Sequence, residues 1–81
     1  MNNLQETLKK IGFEREALDG NLVLCIDNIG VGNDTFAIVR ISDCDTEDIP
    51  NDETKKFIVD IEIVDKNNGD SLDGFQNIIN V

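Results

Sequence analysis

The sequence predicts an α+β domain with an N-terminal helix, a three- or four-stranded antiparallel sheet and a short C-terminal helix. Three observations support this fold class. Apolar residues keep helical spacing near both ends of the chain, several central segments are rich in β-branched residues, and short turn sequences separate those segments. At 81 residues the chain has room for one core, so residues 1–81 are predicted to form a single domain.

The first helix is predicted to run from Leu4 to Ile11. Leu4, Leu8 and Ile11 recur at positions i, i+4 and i+7, which places them on one helical stripe. Asn3 is the expected N-cap, and two lysines in the last turn followed by Gly12 form a typical helix end.

A β-hairpin is predicted next, because Asp19-Gly20 separates two candidate strands at residues 13–18 and 21–27. Residues 13–18 contain good helix formers, so a longer first helix is the alternative, opposed by Gly12. The glycines and polar residues from Gly30 to Asp34 predict the following turn.

Two further strands are predicted at residues 35–42 and 56–64. The first is apolar on both faces except for Arg40, which is typical of a central strand. In the second, apolar residues alternate with Asp60 and Glu62, so we expect these two carboxylates to face solvent.

The C-terminal helix is predicted from the spacing of Leu72, Phe75, Ile78 and Ile79. Gly74 and the β-branched residues near it disfavour a helix and leave a terminal edge strand as the alternative.

The residue types needed for most catalytic mechanisms are missing from this chain. It has no histidine, which removes the commonest general base and the commonest metal ligand. Cys25 lies in an apolar run, and Cys44 lies between two aspartates that disfavour a thiolate. The segments 43–48 and 65–70 only partly match a calcium-binding loop. We therefore expect no enzymatic activity, no metal site and no cofactor.

Charge is the strongest functional signal. The chain has 17 acidic and 7 basic residues and a formal net charge of −10, which disfavours direct binding to nucleic acid or to anionic membranes and favours basic protein surfaces. Six carboxylates and no basic residue lie between Asp43 and Glu53, in a segment predicted to be a long exposed loop.

This pattern leads to the hypothesis of a nucleic-acid mimic, in which carboxylates replace phosphates in the basic groove of a nuclease or another nucleic-acid-binding protein. The alternative is that the acidic segment only keeps the protein soluble. The predicted partner-binding residues are the carboxylates of this segment and of the polar face of strand 56–64: Asp43, Asp45, Glu47, Asp48, Asp52, Glu53, Asp60, Glu62 and Asp65.

In size and charge the chain resembles the small acidic inhibitors encoded by phages and mobile elements, including anti-restriction and anti-CRISPR proteins. That resemblance implies an inhibitor acting in the host cytoplasm. The helix Leu4–Ile11, Gly12 and the apolar spacing of residues 24–27 and 36–41 resemble the opening half of the acidic chaperones of type III secretion. This second resemblance implies binding of an effector through an apolar helix and sheet surface. An immunity protein against a basic nuclease toxin has the same acidic character.

The sequence also predicts a cytoplasmic location. No apolar run approaches the roughly 18–20 residues needed to span a bilayer. The first six residues, from Met1 to Glu6, do not show the basic-then-apolar plan of a signal peptide. The sequence does not indicate an oligomeric state.

Overall fold

The computed structural model describes residues 3–81, and in that range one helix precedes five strands that form one antiparallel sheet. Each strand pairs with the next along the chain, in the order β1-β2-β3-β4-β5, so β1 and β5 are the two edges. The elements are α1 (Leu4–Ile11), β1 (Glu14–Leu18), β2 (Asn21–Val31), β3 (Thr35–Asp43), β4 (Lys56–Asp65) and β5 (Ser71–Asn80).

The first helix forms where the sequence predicts it. The Asn3 side chain accepts a hydrogen bond from the backbone N–H of Glu6, and Gly12 ends the helix with a positive φ of 127°. A Cβ atom at Gly12 would lie 3.0 Å from Cδ1 of Ile26, so a glycine here also lets the end of α1 approach the sheet closely.

The predicted hairpin is confirmed, and residues 14–18 are a strand rather than an extension of α1. Asp19 and Gly20 both have positive φ values, 52° and 86°. A two-residue turn in which both residues have positive φ matches the twist of the flanking strands. Aspartate followed by glycine adopts this turn at little energetic cost.

Cross-strand pairing divides the sheet into two faces. One, here called the apolar face, carries Ile26, Val39, Ile61 and Phe75 in directly paired positions. The other, here called the arginine face, has Arg40 at its centre. The buried apolar residues come from the position just before β1 and from β2, β3 and β4: Phe13, Val23, Leu24, Cys25, Ala37 and Val64.

The predicted C-terminal helix is wrong, and so is the three- or four-stranded sheet: residues 71–80 form β5, the fifth strand. Helical spacing is present in the sequence, but pairing with β4 satisfies the backbone, Gly74 disfavours a helix, and the β-branched Ile78 favours a strand. The pairing places Phe75 beside Ile61. The alternative of a terminal edge strand is the one that forms.

Two loop predictions need correction. β2 extends to Val31, so Gly30 lies within a strand and the turn begins at Gly32. The segment between β3 and β4 is not exposed throughout, because Pro50 is fully buried and Thr54 is only 8% exposed. Polar groups of both buried residues have partners, because the Pro50 carbonyl accepts from the Gln5 amide and the Thr54 hydroxyl donates to Asp43.

Candidate partner-binding surface

The acidic loop, residues 44–55, connects β3 to β4 and is tied to two other parts of the molecule. The backbone N–H of Leu22, at the start of β2, donates to Oδ1 of Asp48 at 3.2 Å. The backbone N–H of Leu4 donates to Oδ1 of Asp52 at 2.6 Å, and the amide of Gln5 donates to the Pro50 carbonyl at 3.1 Å. The loop is therefore fastened to both the sheet and α1.

Asp43, the last residue of β3, organises the loop from its base. Its Oδ1 accepts hydrogen bonds from the backbone N–H groups of Asp45 and Thr46, at 2.8 and 3.2 Å. Its Oδ2 accepts from the Thr54 hydroxyl at 2.7 Å. The bond from Thr54, followed by that from Asp45, lowers the pKa of the Asp43 carboxyl because each stabilises the ionised form.

Asp48 and Asp52 also have structural partners. Oδ1 of Asp48 accepts from the backbone N–H of Ile49 at 2.8 Å as well as from Leu22. Asp52 accepts from Leu4 near the start of α1, where a carboxylate also interacts favourably with the helix dipole. Together with Asp43, these residues hold the backbone: Asp43 is half-buried at the base of the loop, and Asp48 and Asp52 are exposed but accept backbone hydrogen bonds.

The remaining carboxylates of the segment, Asp45, Glu47 and Glu53, are exposed. Among residues 3–81, no hydrogen bond or ion pair engages their side chains. Their backbones are nevertheless held, because the N–H of Glu47 donates to the Asp43 carbonyl at 2.7 Å and the N–H of Glu53 donates to the Asn51 side chain at 2.8 Å. Three carboxylates thus project from a backbone fixed by hydrogen bonds.

A groove of about 240 Å³ lies beside the loop on the arginine face. Glu47 from the loop, Asp19 from the β1–β2 turn and Asp60 from β4 line it, with Arg40 and Gln76. The acidic loop and the β1–β2 turn thus contribute carboxylates to one end of the sheet.

The sequence led us to expect that Asp60 and Glu62 face solvent without partners. In the structure both carboxylates have an ion-pair partner. They gather with Glu16 around Arg40, whose side chain is only 16% exposed. Nη1 of Arg40 lies 3.3 Å from Oε1 of Glu62 and 3.5 Å from Oδ2 of Asp60, and Nε lies 3.5 Å from Oε1 of Glu16. The Nε contact has ion-pair distance without hydrogen-bond geometry. The signal for this cluster was Arg40 itself, the only charged residue in the largely apolar segment 35–42.

Two groups at this position, Arg40 and its neighbour Cys25, have shifted pKa values. Burial lowers the pKa of the Arg40 guanidinium, but the hydrogen bond to Glu62 and the charge of Glu16 outweigh burial, so the net effect is to raise it. Cys25 lies opposite Arg40 in the sheet, and burial, helped by Glu16, raises the pKa of its thiol to about 12. The Cys25 thiol therefore stays protonated at neutral pH and is a poor nucleophile.

The last predicted site residue, Asp65, lies at the other end of the sheet. It pairs with Thr35 at the beginning of β3, whereas the acidic loop follows the end of β3. Its Oδ1 accepts from the backbone N–H of Asn67 at 2.8 Å within the β4–β5 turn. The structure does not bring Asp65 together with the acidic loop.

Within the described range, no group of three or more cysteine, aspartate or glutamate side chains is arranged to hold a metal ion. No helix of residues 3–81 has the length and apolar character that crossing a membrane requires. Comparisons with protein-family models, with curated proteins and with solved structures find no match to this chain.

Proposed function

We propose that this protein is an acidic binding module that presents Asp45, Glu47 and Glu53 to a basic, nucleic-acid-binding surface of another protein and thereby blocks that surface. One observation carries the proposal. These three carboxylates project without partners of their own, among residues 3–81, from a loop that other carboxylates and a buried proline hold in place.

Fixed carboxylates suit this function for an energetic reason. A flexible acidic loop loses conformational entropy when it binds, at about 0.5–1.5 kcal/mol for each side chain that becomes immobilised, and a pre-ordered backbone reduces the total loss. A groove that binds nucleic acid already releases counterions when a polyanion enters it, so carboxylates at suitable spacing exploit the same driving force. The net charge of −10 adds long-range attraction to such a groove.

We propose a recognition surface smaller than the one predicted from the sequence. Asp60 and Glu62 share the positive charge of Arg40, so they present less negative charge to a partner than the loop does. Asp43, Asp48 and Asp52 are needed to hold the loop. We therefore assign recognition to Asp45, Glu47 and Glu53, with Asp19 at the side of the adjoining groove.

The test compares two charge reversals of equal size at opposite ends of the sheet. The variant Asp45→Lys/Glu47→Lys changes the loop, and the control Asp34→Lys/Asp70→Lys changes the β2–β3 and β4–β5 turns. Each protein is immobilised and exposed to a cell lysate, bound proteins are eluted with rising salt or with added nucleic acid, and mass spectrometry identifies them. We expect the wild-type and control proteins to retain a nucleic-acid-binding protein that salt and nucleic acid release.

The loop variant should bind that protein at least roughly tenfold more weakly, because two favourable charge contacts become repulsive. Circular dichroism should show that both variants are folded. Equal loss of binding in the two variants would mean that net charge alone acts, and equal retention would mean that the loop only solvates the protein. Either result would contradict the proposal.

A further inference from the structure

β5 is an edge strand with an unusual amount of exposed apolar surface. Every residue of the strand is exposed, and its four large apolar side chains, Leu72, Phe75, Ile78 and Ile79, are between 45% and 56% exposed. Phe75 and Ile79 lie on the apolar face, and Ile78 lies on the arginine face beside Ile58. Both sides of this edge are therefore apolar at the surface.

The hydrogen bonds show which backbone groups of β5 point away from the sheet. The N–H of Val81 donates to the Lys55 carbonyl at 2.8 Å, so the odd-numbered residues of β5 face β4. The N–H groups of Gly74 and Ile78 instead donate to the side chains of the residues before them, Asp73 and Asn77, at 2.8 and 3.0 Å. The even-numbered residues thus direct their N–H and C=O groups outward, where another strand can pair with them.

The other edge of the sheet is protected and β5 is not. β1 has only five residues, and three of them, Glu14, Arg15 and Glu16, are charged. β5 has ten residues, with no lysine, arginine or proline and one carboxylate, Asp73. Long edges that lack charges and proline are the ones that pair with other strands.

We propose that β5 pairs with β5 of a second copy of this chain, antiparallel and around a two-fold axis, to form one continuous sheet. Such an interface is self-complementary and closed, because each copy uses its one open edge.

The low charge of β5 permits a second copy as the occupant, and the self-complementary register of the strand favours it. Two chains of net charge −10 repel each other over most of their surfaces, and β5 is a place where they can meet with little like charge. With the two-fold axis at Asn77, Asp73 lies opposite Val81 of the second copy. The two Asp73 carboxylates are then about 27 Å apart along the strands, well beyond the ~8 Å screening length at physiological salt.

The same register matches the apolar residues. Phe75 of each copy lies opposite Ile79 of the other, on the apolar face and in a non-hydrogen-bonded pair, where side chains approach most closely. Gln76 pairs with Ile78 of the second copy, and Gly74 pairs with Asn80. In this dimer the backbone N–H groups of Gly74 and Ile78 donate to backbone carbonyls of the second copy instead of to the Asp73 and Asn77 side chains.

Proline substitution tests this pairing selectively. Gln76→Pro removes an outward-pointing N–H and leaves the ladder with β4 intact, whereas the control Gln76→Ala removes only the side chain. Molar mass is measured by light scattering and sedimentation at concentrations from about 10 to 500 μM. We expect wild type and Gln76→Ala to reach twice the monomer mass of 9.0 kDa, and Gln76→Pro to need at least tenfold higher concentration to do so.

A second pair of variants covers the case in which Gln76→Pro fails to fold. Ile78→Lys places a charge on β5, and Leu22→Lys places one at a similarly exposed apolar position of β2. Loss of the dimer only in Ile78→Lys supports the proposal. Three results would overturn it: a wild-type protein that stays monomeric at 500 μM, a dimer that the β5 variants leave intact, or growth into open chains of copies. A monomer would point instead to an extended segment of another protein as the strand that covers β5.

Discussion

Carboxylates serve opposite purposes in two regions of this molecule. Around Arg40 they are half-buried, and three of them surround one guanidinium group on the face of the sheet. At the acidic loop, Asp43 at its base and Asp48 within it accept backbone hydrogen bonds, and Asp45 and Glu47 project outward at the surface. Both regions are net negative and use the same acidic residue types, aspartate and glutamate. The partner of each carboxylate therefore decides whether it supports the fold or is available for binding.

The two regions also differ in what their disruption should cost. A charge in the sheet has given up part of its hydration and depends on its partner, so removing that partner leaves it uncompensated. An exposed charge retains its water and depends on no other residue. The following predictions test this difference, beginning with the largest effect.

Arg40→Met should destabilise the protein by about 2–3 kcal/mol, because it leaves Glu16, Asp60 and Glu62 close together without a cation. The value is below that of a fully buried pair, since all three carboxylates keep some exposure. Urea unfolding followed by circular dichroism measures it. Arg40→Lys retains the positive charge and should lower the free energy of unfolding by less than Arg40→Met does. Equal stability of Arg40→Met and wild type would show that the cluster is not a structural centre.

Thr54→Val should cost about 1–2 kcal/mol, because Thr54 is buried and both donates to Asp43 and accepts from the backbone N–H of Asn51 at 3.0 Å. Valine keeps the shape but leaves Asn51 without this acceptor. The matched control is Thr46→Val, since the Thr46 hydroxyl accepts one bond at 3.3 Å from Asp48 and the residue is exposed. The same urea titration compares the two, and an equal effect would contradict an anchored loop.

The smallest effect is a pH dependence that originates at Asp43. Its folded-state pKa is lowered, so its contribution to stability is complete above the ordinary aspartate pKa of about 3.9 and is lost as the pH falls through the lowered value. An NMR titration of the Asp43 carboxyl carbon should show the lowered pKa in the wild type. In Thr54→Val the pKa should rise toward its ordinary range. An unchanged pKa in that variant would exclude the Thr54 hydroxyl as the main cause.

Several features could be predicted because they depend on residues close together in sequence. Asn3 and Gly12 define the two ends of α1, and Asp19-Gly20 adopts the two positive φ values of the hairpin turn. The alternation in residues 56–64 correctly separates the two faces of β4. Local conformational preference and side-chain periodicity determine such features before any tertiary contact forms.

Other features required contacts between residues distant in sequence, and here the predictions failed or stopped short. Residues 71–80 have a pattern compatible with a helix as well as with a strand, and pairing with the hydrogen-bonding edge of β4 decides for the strand. The exposure of Asp60 and Glu62 was misjudged because the register between β3 and β4, which brings Arg40 beside them, is not visible in either strand alone. Which carboxylates of the acidic segment have partners likewise depends on the backbone N–H groups of Leu4 and Leu22, which lie far from the segment in the chain.

The sequence by itself determined the helix, the hairpin and the acidic character, since those are local or additive properties. Only the tertiary structure decided which carboxylates have partners, because partnership depends on strand register and chain packing.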